Sequence, residues 1–149
     1  MNGQFGQYNS VQMGLSAQTS AERLRIVISS RLQATATSLA PKGKRLVAFL
    51  DDFNMPSLDQ FGAQPCLEIV KQYCERGSWY VQKKEKFQLI NVVDVDILAA
   101  MATPGGGRNQ ISGRIMSKFN VLQIDNPSDN VLKTIFSTLL NVYYQNFDE

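Results

Sequence analysis

The segment "LVAFL", residues 46–50, is the most constraining feature of the sequence, because it places five consecutive apolar residues directly before Asp51 and Asp52. A short apolar run bounded by polar residues is typical of a strand that is buried within a parallel sheet. Two adjacent carboxylates are costly to bury without partners. The segment therefore predicts a buried strand that ends in two carboxylates with a specific role.

Predicted strands and helices alternate along the rest of the chain. Thr19 and Glu22 have the spacing of a capping box, and Pro65 and Gly77 are typical of the start and end of a helix. The alternation predicts an α/β fold with a mainly parallel sheet. In order, the patterns predict a strand at 11–15, a helix at 16–33, a polar linker at 35–45, a strand at 46–50, a helix at 65–76, a hairpin at 78–90, a strand at 95–102, a short helix at 112–119, a strand at 120–124 and a helix from 128.

The composition argues against several classes of protein. A net charge of +2 is too small to indicate nucleic-acid binding, and no apolar run approaches the roughly 20 residues of a membrane span. The chain has no histidine, so zinc sites, haem sites and His-based triads are not expected. Cys66 and Cys74 lie roughly 12 Å apart on one predicted helix, too far for a disulfide. Reduced thiols indicate an intracellular protein.

Two polar segments follow predicted strands and are candidates for a functional site. Asp51 and Asp52 end one strand, and "TPGGGRN" (103–109) follows the strand at 95–102. In parallel sheets, chemistry gathers at the carboxyl ends of the strands. An apolar strand ending in two acids has the general form of a Walker B element, in which the first acid holds Mg²⁺ through water and the second activates the attacking water. Arg108 would bring positive charge to a phosphate.

Each of these signals also has a plainer interpretation. Aspartates after strands often cap turns or helices, and three glycines can form a flexible turn that binds nothing. Arg114 and Lys118 fall in a predicted helix, where a solvated face is the simpler explanation. Trp79 and Tyr80 fit a hairpin core better than a ligand-binding platform. Taken singly, the motifs leave both interpretations open.

Taken together, five segments resemble dynein heavy chains. Their order and spacing are similar to those of the third AAA+ module of the motor ring, and "GAQP" with "PGGGRN" resembles the axonemal type. The resemblance covers nearly everything after residue 10, and it implies a P-loop-NTPase/AAA+-like three-layer α/β domain. It further implies an irregular lead-in at 1–10, a partial AAA+ large subdomain at 11–127, and a C-terminal helix at 128–149 that leads toward the small subdomain. The five segments are "SAQTSA", "LVAFLDDFNMP", "FGAQPCLEIVKQYCERGSWY", "AAMATPGGGRN" and "RIMSKFNVLQI".

The resemblance assigns roles to individual residues. Asp51 matches the Mg²⁺-binding Walker B acid, and Asp52 matches the catalytic acid. Ala102 matches the sensor position, where an AAA+ enzyme typically has a polar residue. Arg114 matches the first arginine of an "RFLRHF"-like segment that faces the neighbouring module's nucleotide. Ser117 replaces the second arginine, so a trans-acting finger at that position would be lost.

The resemblance also implies ATP and Mg²⁺ as ligands of the intact module. These 149 residues contain no P-loop of the form G-x-x-x-x-G-K-[ST]. We therefore expect a piece of a larger motor, with a sheet that is incomplete on its N-terminal side, and we expect no bound cofactor and no activity for the chain by itself.

Several functions remain open on the sequence alone. The chain is a partial ATPase module of a microtubule motor, a structural or interaction domain that has lost its nucleotide chemistry, or part of another AAA+ ring ATPase. For a dynein, the expected partners are neighbouring AAA+ modules, microtubules, and dynein intermediate and light chains, without nucleic acid or membrane. The expected location is the cytoskeleton of a cilium or flagellum axoneme.

Overall fold

The structure is a computed structural model that describes residues 8–35, 38–83 and 86–145. The chain divides into two compact units, Met1–Phe119 and Asn120–Glu149. The helices and strands follow in the order β1 (Tyr8–Gly14), α1 (Ala21–Ser29), β2 (Leu32–Ala34), β3 (Ser38–Pro41), β4 (Arg45–Asp51), α2 (Pro65–Arg76), β5 (Ser78–Lys83), β6 (Lys86–Val92), β7 (Val95–Ala99), α3 (Gly113–Met116) and α4 (Asp129–Tyr144).

Strand β4 is the centre of a three-stranded parallel sheet with the order β1-β4-β7. It pairs with both neighbours, so that Ala48 lies opposite Val11 on one side and Ile97 on the other. Pairing on both sides satisfies the backbone polar groups of a strand without help from water. The strand predicted at 46–50 is confirmed, as is the α/β class with a mainly parallel sheet.

The two faces of this sheet are covered unequally. Side chains alternate along a strand, so Leu46, Ala48 and Leu50 share one face, and all three are buried. The buried side chains of α1, α2 and α3 belong to the same core cluster as these residues. The opposite face carries Phe49, which is only partly buried and lies outside that cluster. Because Asp51 continues the alternation, it belongs to this less covered face.

Helix α2 begins and ends where the sequence predicts. Pro65 occupies its first turn, where a missing N–H costs nothing, and Gly77 ends it with a left-handed φ of 61°. Cys66 and Cys74 are unpaired thiols, as expected from their spacing. Burial raises the pKa of the Cys66 thiol to about 11, which keeps it protonated and unreactive at neutral pH.

The second sheet has the order β2-β3-β6-β5 and contains the predicted hairpin. Strands β5 and β6 pair antiparallel along their length, and the predicted turn includes residues 84–85, which lie outside the described residues. Trp79 is buried, and its ring centre lies 5.9 Å from that of Tyr73 on α2. Trp79 is therefore a core residue, as the plainer interpretation holds, whereas Tyr80 is exposed.

The predicted boundaries of the first helix and of the linker after it are wrong. Helix α1 is capped by Ser20, whose hydroxyl accepts the Arg23 N–H at 3.1 Å. The Thr19 hydroxyl instead accepts the N–H of Ser16 at 2.9 Å. The helix ends at Ser29. Strands β2 and β3 then replace the predicted helix end and part of the linker, since they pair with each other and β3 also pairs with β6.

Two further strand predictions differ from the structure. Strand β1 begins at Tyr8, three residues early, because its pairing with β4 starts with Tyr8 opposite Arg45; residues 1–7 of the expected lead-in lie outside the described residues. The strand expected at 120–124 is not formed. No other described segment of the unit Asn120–Glu149 is a strand, so within that unit this segment has no neighbour for a ladder.

The second unit contains the predicted C-terminal helix, α4, which begins after Ser128. Its apolar residues recur at helical spacing, and none of its residues is buried. In the described part of the chain, no helix combines the length and the apolar character that crossing a membrane requires.

The substitution Gly77→Ala tests the sharp end of α2. A Cβ is strained at a φ of 61°, so the free energy of unfolding should fall by about 1–2 kcal/mol. Urea denaturation followed by the fluorescence of Trp79, the single tryptophan, measures this change. Gly14→Ala is the matched control, because the φ of Gly14 is not positive and a Cβ there meets nothing within 4 Å. Equal losses of unfolding free energy in the two variants would contradict the role of Gly77 as the left-handed end of α2.

Candidate functional site

Strand β4 ends at Asp51 in a turn that backbone hydrogen bonds hold on two sides. The Asp51 carbonyl accepts the N–H of Leu15 at 2.9 Å, and the Phe53 N–H donates to the Ala100 carbonyl at 2.9 Å. Asp52 has a φ of 51°, a left-handed conformation that aspartate adopts more readily than most residues. Its N–H donates to the Asp51 carboxylate at 2.9 Å. The turn therefore fixes the backbone that carries both carboxylates.

The segment at 103–109 forms a hydrogen-bonded loop rather than an open connection. Gly105, Gly106 and Gly107 have φ values of 127°, 58° and 86°, which glycine adopts without a steric penalty. The N–H groups of Gly105 and Arg108 each donate to the other residue's carbonyl at 3.1 Å. The glycines close a tight turn that presents Arg108.

Arg108 brings the glycine loop to the acidic end of β4. Its Nη2 lies 3.4 Å from Oδ1 of Asp52, and the two side chains are 35% and 46% exposed. Its Nε is buried and has no hydrogen-bond partner among the described residues. The structure thus brings together the two segments that the sequence places at the carboxyl ends of strands, and it shows that these strands are neighbours.

Two asparagine side chains hold the loop to the end of β4, and a glutamine side chain shares one of their acceptors; none of the three is a candidate site residue from the sequence. Asn54 is fully buried and donates its Nδ2 to the Ala102 carbonyl at 2.8 Å. The Asn54 carbonyl accepts the N–H of Asn109 at 2.9 Å. The Pro56 carbonyl accepts from Asn109 Nδ2 at 2.9 Å and from Gln64 Nε2 at 2.7 Å. We call Asn54, Asn109 and Gln64 the amide clamp. Their one sequence signal is that Asn54 lies two residues after Asp52 and that Asn109 is the last residue of the segment at 103–109.

Among the described residues, no contact joins Arg114 to Asp51 or Asp52. Arg114 lies on α3 with its side chain exposed, while Ile115 beside it is buried in the core. At the end of the same segment, Lys118 pairs with Glu75 of α2 at 3.1 Å, and this contact lowers the pKa of the Glu75 carboxyl. Lys118 is therefore an anchor for α3, and Arg114 remains available to another molecule.

The end of the sheet offers oxygen ligands and one cation. The described residues contain no group of three or more His, Cys, Asp or Glu side chains that could hold a metal ion by themselves. Mg²⁺ is usually held by one or two carboxylates together with waters and phosphates, and Asp51 and Asp52 suit that role. The Arg108 side chain is partly exposed, so its positive charge suits an anion. Ala102 contributes only its carbonyl, which Asn54 already occupies.

The substitution Asp52→Asn should leave the stability of the chain nearly unchanged. A partly exposed ion pair such as that with Arg108 is worth no more than about 1 kcal/mol, and asparagine tolerates a left-handed φ as well as aspartate does. Urea denaturation should therefore give an unfolding free energy within about 1 kcal/mol of the parent. Asp94→Asn is the matched control, because Asp94 also has a positive φ, of 58°, and precedes β7. A loss above about 3 kcal/mol for Asp52→Asn alone would identify Asp52 as a structural cap.

Comparison with known proteins gives consistent results along the chain. The profile of the P-loop containing dynein motor region matches residues 2–127. The Dynein-1-beta heavy chain of the flagellar inner arm I1 complex from Chlamydomonas reinhardtii is 43% identical over 143 residues, which is 95% of this chain and 3% of that protein. Dynein axonemal heavy chain 12 from Rattus norvegicus is 38% identical over 145 residues, 96% of this chain and 5% of that protein.

Dynein axonemal heavy chain 6 from Homo sapiens is 40% identical over 142 residues, 94% of this chain and 3% of that protein. The chain thus spans 3% to 5% of the length of these three relatives. The match to the family profile extends over most of the chain, including both strand ends and the glycine loop. The chain therefore belongs to the dynein heavy chain family, within its P-loop containing motor region.

Proposed function

We propose that the chain supplies the acidic half of an ATP site in the third AAA+ module of a dynein motor ring. The observation that carries this proposal is the contact between Asp52 and Arg108, which unites the ends of two neighbouring parallel strands. Ligands bind at the carboxyl ends of strands in open α/β sheets. Carboxylates for a metal and an arginine for phosphate are the groups that a nucleotide site needs.

Asp51 would hold Mg²⁺ through water in this site. It is partly buried where β4 ends, at the edge of the sheet where ligands bind in open α/β folds. Mg²⁺ keeps several of its waters when it binds to proteins, so a single carboxylate is enough to place it. When bound, the ion would neutralise charge on the phosphates.

Asp52 would orient or deprotonate the water that attacks the terminal phosphate. A carboxylate at the end of a rigid strand can hold such a water in line for attack. Arg108, whose side chain is 35% exposed, would bind a phosphate oxygen through its guanidinium. Arg114, exposed on α3, would reach the nucleotide of a neighbouring module.

The proposed partners follow from the relatives. Their names describe axonemal and flagellar dyneins, so we place this chain in the motor of an axonemal dynein in a cilium or flagellum. Its direct partners would be neighbouring AAA+ modules of the same heavy chain. Microtubules and the intermediate and light chains would be partners of the whole motor.

A structural module without nucleotide chemistry is the second candidate function, and two residues favour it. Ala102, at the expected sensor position, has no polar side chain and offers only a carbonyl that Asn54 occupies. Ser117 donates its hydroxyl to the Arg114 carbonyl at 3.0 Å, at the position where a second arginine would stand. A module of this kind would keep the fold and transmit conformational change to its neighbours without hydrolysing ATP.

Titration of the parent motor polypeptide, extended upstream through a P-loop, with Mg·ATP separates the two functions. An ATPase module binds Mg·ATP, and Asp52→Asn should slow its turnover by roughly 10²- to 10⁴-fold while binding persists, because the acid activates water. Asp51→Asn should instead weaken the Mg²⁺ dependence of binding. Asp94→Asn is the control and should change neither quantity. No detectable binding of Mg·ATP at this module would reject the ATPase and favour the structural function.

A further inference from the structure

We infer that Asn54 is a positioning residue of this site, which fixes the glycine loop so that Arg108 reaches Asp52. The hydrogen bonds of Asn54 are observed in the structure. Their consequence for phosphate binding rests on the proposed function. Among the described residues, no hydrogen bond joins the Asn54 side chain to Asp52, so Asn54 would act through the loop.

Asn54 holds both ends of the glycine loop. Its Nδ2 donates to the carbonyl of Ala102 just before the loop, at 2.8 Å. Its backbone carbonyl accepts the N–H of Asn109 at the far end, at 2.9 Å. One residue therefore ties residues 102 and 109 to the turn that carries Asp52, only two positions earlier.

The burial of Asn54 indicates that its hydrogen bond to the loop has a specific role. The side chain is fully buried, and its Oδ1 has no hydrogen-bond partner among the described residues. A buried polar atom without a partner costs free energy that an apolar side chain of similar size would avoid. Core packing alone does not explain an amide here, whereas the hydrogen bond to the Ala102 carbonyl does.

The loop cannot hold Arg108 in place by its own contacts. Three consecutive glycines lose more conformational entropy on ordering than other residues do. Within the loop, the backbone hydrogen bonds given by the structure are the two that join Gly105 and Arg108. The remaining restraint comes from the amide clamp, because Asn109, directly after Arg108, is held by the carbonyls of Asn54 and Pro56.

The clamp also connects the loop to α2. The Pro56 carbonyl that binds Asn109 accepts a second amide hydrogen bond, from Gln64 at the N-cap of that helix. Gln64 is almost fully buried, so this junction is shielded from water. In the proposed function, a shielded junction would keep the Arg108 guanidinium within reach of both Asp52 and a phosphate, since preorganised charge needs no rearrangement on binding.

Amide hydrogen exchange in this 149-residue chain tests the inference without any nucleotide. Removing the Asn54 hydrogen bond in Asn54→Ala should speed exchange at the Gly105 and Arg108 amides roughly fivefold relative to the amides of β7. Val70→Ala is the control, because Val70 is buried in α2 and its truncation lowers global stability. In that variant the ratio of loop exchange to β7 exchange should not rise.

A second variant keeps the test decisive if Asn54→Ala does not fold. Asn109→Ala removes the side-chain bond to the Pro56 carbonyl from a partly buried residue, and it should speed the same two loop amides selectively. The inference is overturned if Asn54→Ala folds without raising the ratio above that of the parent chain, or if neither variant raises it. Because the readout involves no ATP, failure here leaves the ATPase proposal intact, and loss of ATP binding leaves the clamp intact.

Discussion

The pairing of β4 with a parallel strand on each side is the constraint on which the rest of the structure depends. It places the end of β4 beside the end of β7, so the residues that follow the two strands must share one edge of the sheet. The acidic turn and the glycine loop meet there for that reason. Leu46, Ala48 and Leu50 anchor the strand by burying one face against the helices, whereas Phe49 and Asp51 on the opposite face are only partly buried.

The contacts at this edge suit function better than stability. The pair of Asp52 and Arg108 is long and partly exposed, so it adds little to the free energy of folding. Asp52 and three glycines occupy left-handed conformations, and the clamp leaves one buried amide oxygen without a partner. Unfavourable backbone conformations and unpaired buried polar atoms of this kind concentrate at functional sites. The membership of the chain in a motor family agrees with this physical interpretation.

The sequence could predict those elements whose position is determined by residues close together in the chain. An apolar run identified β4, and a proline and a glycine identified the ends of α2. The grouping of the acids with the glycine loop followed from the parallel topology alone. Strands β2 and β3 were missed because they are only three and four residues long and β3 also depends on non-local pairing with β6. The segment 120–124 was wrongly predicted as a strand because an apolar run needs a neighbouring strand as well as a pattern. Asn54 was missed because nothing in the sequence distinguishes a buried amide in a turn from an exposed one.

The central claim is that Asp51, Asp52 and the glycine loop surround one Mg·ATP site. Its most direct test replaces Mg²⁺ with Fe²⁺ in the parent motor and generates hydroxyl radicals at the bound ion. The account predicts backbone cleavage in two separate segments, at residues 51–52 and at 105–108, with both cuts dependent on ATP and both lost in Asp51→Asn. Cleavage at neither segment, or cleavage that does not depend on ATP, would contradict a shared Mg·ATP site.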